Sequence, residues 1–106
     1  MQREVKIYRM LGLARRAGVL KSGEFQTEEL IRSGGACLVI VAEDASGNTR
    51  KRFQDKCEHY HVPFALFGTK EALGHATGTE MRSSAALGDR GFAEAVLKLL
   101  EQNERD

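Results

Sequence analysis

The chain has no long apolar run. None of its segments approaches the roughly 18 apolar residues of a membrane span, and Met1-Gln2-Arg3-Glu4 lacks the apolar stretch of a signal peptide, so no membrane association and a cytoplasmic location are expected. Cysteine is scarce. Cys37 opens a strand-like run and Cys57 falls on an apolar helix face with Phe53 and Tyr60, contexts that argue against a disulfide framework and make both small core residues. Nucleotide fingerprints are missing too: neither GxGxxG nor GxxxxGK[ST] occurs, and Gly34-Gly35 precedes a strand, whereas a phosphate-cradling loop needs its glycines after one. No GxSxG elbow surrounds Ser83 or Ser84, and loop serines beside Gly and Thr are turn formers. Cys57, His59 and His61 do not make a metal site, because on a helix His59 points about 200° away from Cys57 and no fourth ligand has sensible spacing. The expectation is a protein without catalytic residues, metal or cofactor.

Net charge is also small, +1 over 106 residues, but it is unevenly distributed. Residues 1–23 carry +5, residues 24–49 carry −4, residues 50–56 carry +3 and residues 57–106 carry −3. Brought together, the two basic segments would make a phosphate-binding face; kept apart, they are solvated helix surfaces.

The length fits one domain, 1–106, able to bury a core without staples. Ile7, Met10, Leu11 and Ala14 mark an amphipathic helix from about Arg3 to Ala17, with Gly18 placed as its left-handed cap. Val19 to Lys21 is a short strand, and a second helix opens at Ser22-Gly23 and is stopped by Gly34-Gly35. The run Cys37 to Ala42, CLVIVA, reads as a strand covered on both faces. The turn Glu43 to Asn48 then feeds a helix to about His59 that starts with Arg50, Lys51 and Arg52. Acids in such a turn usually cap the helix they precede. Val62 to Phe67 is a strand with Pro63 at its start, Thr69 caps a short helix from Lys70 to Ala76, and a Gly/Thr/Ser-rich loop from Thr77 leads to a strand at Ser84 to Leu87. A last helix from Asp89 buries Ala93, Val96, Leu97 and Leu100. This alternation predicts an α/β fold, a three-layer α/β/α sandwich on a mixed, largely parallel four-stranded sheet.

Phe25 lies out of phase with the inward stripe Thr27, Leu30 and Ile31 of its helix. Two readings stand: it packs against the end of the first helix or the loop near Leu20, or it is an exposed ring beside basic residues, suited to stacking on unpaired bases.

Lys21-Ser22-Gly23-Glu24, Ile31 to Gly34, Leu38 to Ser46, Asp55-Lys56-Cys57, Val62-Pro63-Phe64 and Leu73-Gly74 together resemble the kink-turn RNA-binding ribosomal protein superfamily of the large subunit. More narrowly they resemble its small bacterial YlxQ-type members. The resemblance runs from about Leu11 to Leu100 and implies a non-enzymatic, ribosome-associated or translation-linked protein whose partner is structured RNA, ribosomal RNA or a kink-turn, with ribosomal proteins as further partners and a monomeric state. Position by position it places RNA contacts at Gly23, Glu24, Phe25 and Gln26 and in a closing loop of Gly78, Thr79, Glu80, Met81, Arg82, Ser83 and Ser84. Arg15, Arg16, Lys21, Arg50 and Lys51 would neutralise phosphates. Where strong binders of the family have Gly-x-Asn-Glu, this chain has Gly23-Glu24-Phe25-Gln26, and their following Lys is Glu29, so kink-turn recognition is expected to be weakened. The alternative is a protein-interaction module on the same scaffold that has lost RNA readout.

Overall fold

In a computed structural model, which describes residues 2–102, α1 (Gln2–Arg16) turns Ile7, Leu11 and Ala14 inward, where each is fully buried. Gly18, with φ +79°, releases the chain into β1 (Leu20–Ser22). Next come α2 (Glu24–Arg32), β2 (Leu38–Val41), α3 (Gly47–Tyr60), β3 (Phe64–Leu66), α4 (Lys70–Ala76), β4 (Ser84–Leu87) and α5 (Arg90–Glu101). Three of the helix starts are fixed by side chains that accept from the first turn. Ser46 accepts from Thr49 N, Thr69 from Ala72 N and Asp89 from Phe92 N, each satisfying an N–H the helix itself leaves open.

Every residue of β2 and of β4 is buried, which requires cover on both faces of the sheet. Two groups of helices supply it: α1 packs against α4 and α5, and α2 packs against α3. The result is the expected α/β sandwich with a mixed four-stranded sheet in the order β1-β4-β2-β3. The balance within that sheet differs from the expectation. Only β2 and β3 pair in parallel, while β4 lies between β1 and β2 and runs against both. The physical reason is that only β2-α3-β3 is a crossover between adjacent strands. β1 and β2 do run in the same direction, but β4 has entered between them, so the helix–strand alternation describes strand direction and not hydrogen-bonded neighbours.

The core joins Phe53 and Cys57 of α3, Leu73 of α4, and Ala93 and Val96 of α5 to the strands. Cys57 is sealed in this core and burial pushes its thiol up to about 11, as expected of a packing residue. Among the described residues no helix is long and apolar enough to cross a membrane. No group of three or more His, Cys, Asp or Glu is placed to hold a metal ion among them.

Candidate functional site

The N-terminus of α2 is the centre of the site. Gly23 sits at φ +91°, a backbone region that L side chains rarely adopt, and it offers no side-chain cap to the helix it opens. Its N–H donates to Ser84 O (3.0 Å) and its carbonyl accepts from Thr27 N (2.9 Å), which pins the turn to β4. A helix start without a side-chain cap presents free N–H groups and the positive end of the helix dipole, an arrangement that accepts phosphate.

The loop between α4 and β4 folds onto this turn. Arg82 Nε donates to Ser22 Oγ (3.2 Å) and its guanidinium lies beside Gly23, while Arg82 Nη1 donates to Met81 O (2.9 Å). At the other end of the loop the guanidinium of Arg15 rests against Gly78, where a Cβ would come within 2.8 Å of its Cζ. The loop is held from beneath by α4. Gly74 carries no side chain because the Glu80 carbonyl occupies that space, and Thr79 N donates to Gly74 O (2.8 Å).

A third piece is the start of α3, and Glu24 joins it to the other two. One carboxylate oxygen accepts from Arg52 Nη2 (2.6 Å), and the other from Ser83 Oγ (3.3 Å) and Thr49 Oγ1 (3.4 Å). The Arg52 hydrogen bond holds the Glu24 carboxyl below the usual carboxylate range, against the opposing effect of partial burial. Arg52 and Lys56 also face Glu28, at 3.8 and 3.5 Å.

Two apolar side chains stand in this otherwise polar surface. Phe25 is 70% exposed and Met81 is 55% exposed. The exposed-ring reading of Phe25 therefore holds over the packing reading: α2 has turned Thr27 and Ile31 to the core and leaves position 25 facing outward.

A sequence profile described as the ribosomal protein L7Ae/L30e/S12e/Gadd45 family matches residues 5–98. The chain belongs to this L7Ae-type family. It is 42% identical over 92 residues to the RNA-binding protein YlxQ of Bacillus subtilis (strain 168), which spans 87% of this chain and 92% of that protein. It is 41% identical over 97 residues to the RNA-binding protein YlxQ of Enterococcus faecium, spanning 91% and 92%. Among solved structures, a Bacillus halodurans C protein of unknown function superposes with a TM-score of 0.88 at 35% identity, over 92% of this chain and 98% of the other. The Giardia lamblia 15.5kD RNA binding protein superposes at 0.78 and 23% identity, over 93% and 91%, a likeness of fold.

Against this L7Ae-type frame the residues singled out from sequence fall into two groups. Lys21, Gly23, Phe25 and Gln26 lie at or beside the α2 start, and Arg15, Gly78 and Thr79 to Ser83 join them through the loop. Arg16, one residue along α1 from Arg15, is exposed. Others are committed elsewhere. Ser84 is fully buried and its hydroxyl donates to Thr27 Oγ1 (3.2 Å), so, contrary to the expectation of an RNA contact, it anchors the end of the loop to α2. Lys51 pairs with Asp55 across one helical turn (3.1 Å), leaving Arg50 as the open cation of that pair. The side chain of Glu24 is turned into the protein's own network. Sequence reasoning left Thr49 and Ser22 out of the site and read Arg52 as a phosphate-facing cation of the basic segment, whereas it pairs with Glu24. On the α3 wheel Thr49 and Arg52 share a face three residues apart, a signal that was available, but which face met α2 was not.

Proposed function

We propose that this protein binds structured RNA through the composite surface of the α2 N-terminus, the start of α3 and loop 78–83, without catalysing a reaction. One observation carries the reading: an α2 start with no side-chain cap, flanked by the exposed ring of Phe25 and by Lys21 and Arg82, with Arg15 at the far end of loop 78–83, three cations without an acidic partner among the described residues. Free N–H groups and cations position a phosphate backbone, while Phe25 and the Gln26 amide meet bases by stacking and by donating to or accepting from a base edge. Membership of the family and the names of the YlxQ relatives support RNA as the partner.

Ribosomal RNA is the proposed source, encountered in the cytoplasm by a monomer acting in ribosome assembly or translation. Kink-turn-type recognition survives in weakened form, since Phe25 and Gln26 replace the Asn and Glu of strong binders and Glu29 is spent on Arg32. The test is a salt titration of binding to a kink-turn RNA, a plain duplex and a single strand of matching length. Tighter binding to the kink-turn near 0.15 M salt supports the reading. Equal, weak and salt-sensitive binding to all three leaves nonspecific electrostatics only and favours the protein-interaction module.

A further inference from the structure

Glu24 is an acid at the centre of the surface proposed to meet phosphates. By charge alone it should weaken binding, and the geometry gives it a different task. Its two oxygens take one hydrogen bond from the Arg52 guanidinium and two from hydroxyls, Thr49 on α3 and Ser83 at the end of loop 78–83. These partners lie 25, 28 and 59 residues away in sequence, and together they belong to the two elements that flank α2. The network reaches further into the α3 start, where the N-cap Ser46 accepts from Thr49 N (3.1 Å) and donates to Thr49 Oγ1 (3.0 Å). Arg52 is held from its other side by Glu28 (3.8 Å) and lies 5.1 Å over the Phe53 ring, so Glu24 pulls on an anchored group.

We infer that Glu24 is a positioning residue. Its carboxylate registers the α3 start and loop 78–83 against the α2 N-terminus, so that the surface meets RNA already assembled. The inference rests on the RNA-binding reading for its consequence but not for its mechanism, because the registration exists in the free protein. An acid that merely occupied the surface would repel phosphate, and removing it would tighten binding. A positioning acid does the reverse: without it, loop 78–83 moves independently of α3 and ordering both must be supplied on binding.

Two measurements on the full chain separate these cases. The first is amide hydrogen exchange of the RNA-free protein at pH 7 for the wild type, Glu24→Ala, Glu24→Gln and Arg52→Gln. The second is affinity of each for the kink-turn RNA and for the single strand. Glu24 is exposed, so the variants keep the core, and unchanged exchange in β2 and α5 verifies it. In Glu24→Ala, exchange in loop 78–83 and at the start of α3 should rise about tenfold, affinity for the folded RNA should fall about fivefold to tenfold, and the preference over single strand should shrink. Arg52→Gln should reproduce much of this, and Glu24→Gln, which retains an acceptor for the hydroxyls, should fall between. Unchanged loop exchange in Glu24→Ala overturns the inference, and tighter RNA binding with unchanged exchange identifies Glu24 as a repelling charge only. Faster loop exchange together with no RNA binding by any variant or by the wild type keeps the positioning role and removes the RNA reading instead.

Discussion

Replacing Gly74 with alanine tests whether loop 78–83 depends on α4 for its place. An added Cβ would overlap the Glu80 carbonyl and approach Met81 Cα to 2.9 Å, and both obstacles are backbone, so the loop itself must shift. In an open helical position Gly→Ala stabilises by about 1 kcal/mol. Here overpacking opposes it by roughly 1–3 kcal/mol. A displaced loop also strains the bonds from Thr79 N to Gly74 O (2.8 Å) and from Arg82 N to Lys70 O (3.0 Å). Each of those is worth about 1 kcal/mol net. With both bonds lost the balance is a destabilisation of about 2–4 kcal/mol, or a drop of roughly 10–20 °C in melting temperature for a chain of this size. Urea unfolding and calorimetry read the first number, and RNA affinity reads the second consequence, about a tenfold loss as Arg82 leaves Ser22. Gly47→Ala is the control, because a Cβ there meets nothing closer than the Arg50 guanidinium at 4.0 Å. That variant should be neutral or slightly stabilising. If Gly74→Ala is as stable as the wild type and binds RNA equally well, the argument that α4 carries the loop is wrong.

Phe25→Ala should leave stability within about 0.5 kcal/mol, since the ring is exposed, while weakening RNA binding by roughly 1–3 kcal/mol if one base stacks on it. A fall in melting temperature with unchanged affinity would restore the packing reading. Arg50→Glu should reduce both affinity and the steepness of its salt dependence more than Lys51→Glu does, because Asp55 already partners Lys51 at 3.1 Å; equal effects from the two would show that this ion pair opens on binding. Under native conditions at pH 8 iodoacetamide should modify half-buried Cys37 well ahead of Cys57, whose thiol is buried and pushed up to about 11, and mass spectrometry of native and denatured samples reads the difference. The folded state favours the neutral Cys57 thiol, so its contribution to stability is complete below an unfolded-state pKa of about 8.5 and declines as pH rises above it.

Local signals account for most of the architecture. Thr69 and Asp89 cap the helices they precede, Gly18 ends α1 in the left-handed region, Pro63 stands just before β3, and Thr27 and Ile31 face the core. Each of these depends on neighbours within a turn or two of chain. What was not legible depends on partners far away. Asp44 was expected to serve the helix after its own turn, yet it accepts from Lys70 N (2.9 Å) and caps α4, while Ser46 takes the α3 start. The entry of β4 between β1 and β2 leaves no mark on any one strand. The site shows the same division. Glycine at 23 and an out-of-phase ring at 25 were visible as types and phases, but the conversion of Glu24 from contact residue to internal anchor needed α3 and the loop beside it.

Charge counted by segment misleads for the same reason, and the consequence can be measured. Residues 50–56 carry +3 as a run of sequence, but Arg52 faces Glu24 and Glu28, Lys56 faces Glu28 and Lys51 faces Asp55. Arg50 alone of these cations has no acidic partner among the described residues. With Arg15, Arg16, Lys21 and Arg82 the surface and the end of α1 beside it offer five cations free of such partners among the described residues. If each meets one phosphate, the logarithmic salt slope is about −3.5 to −4.5, using roughly 0.7–0.9 per phosphate. Raising salt from 50 to 200 mM should then weaken binding by roughly two to three orders of magnitude. Were Lys51, Arg52 and Lys56 also delivered to phosphates, the slope would steepen to about −5.5 to −7 and the loss would be roughly three and a half to four orders. A slope that steep would mean that Glu24 and Glu28 of α2 and Asp55 of α3 release their partners to the RNA, and would refute a surface assembled before binding.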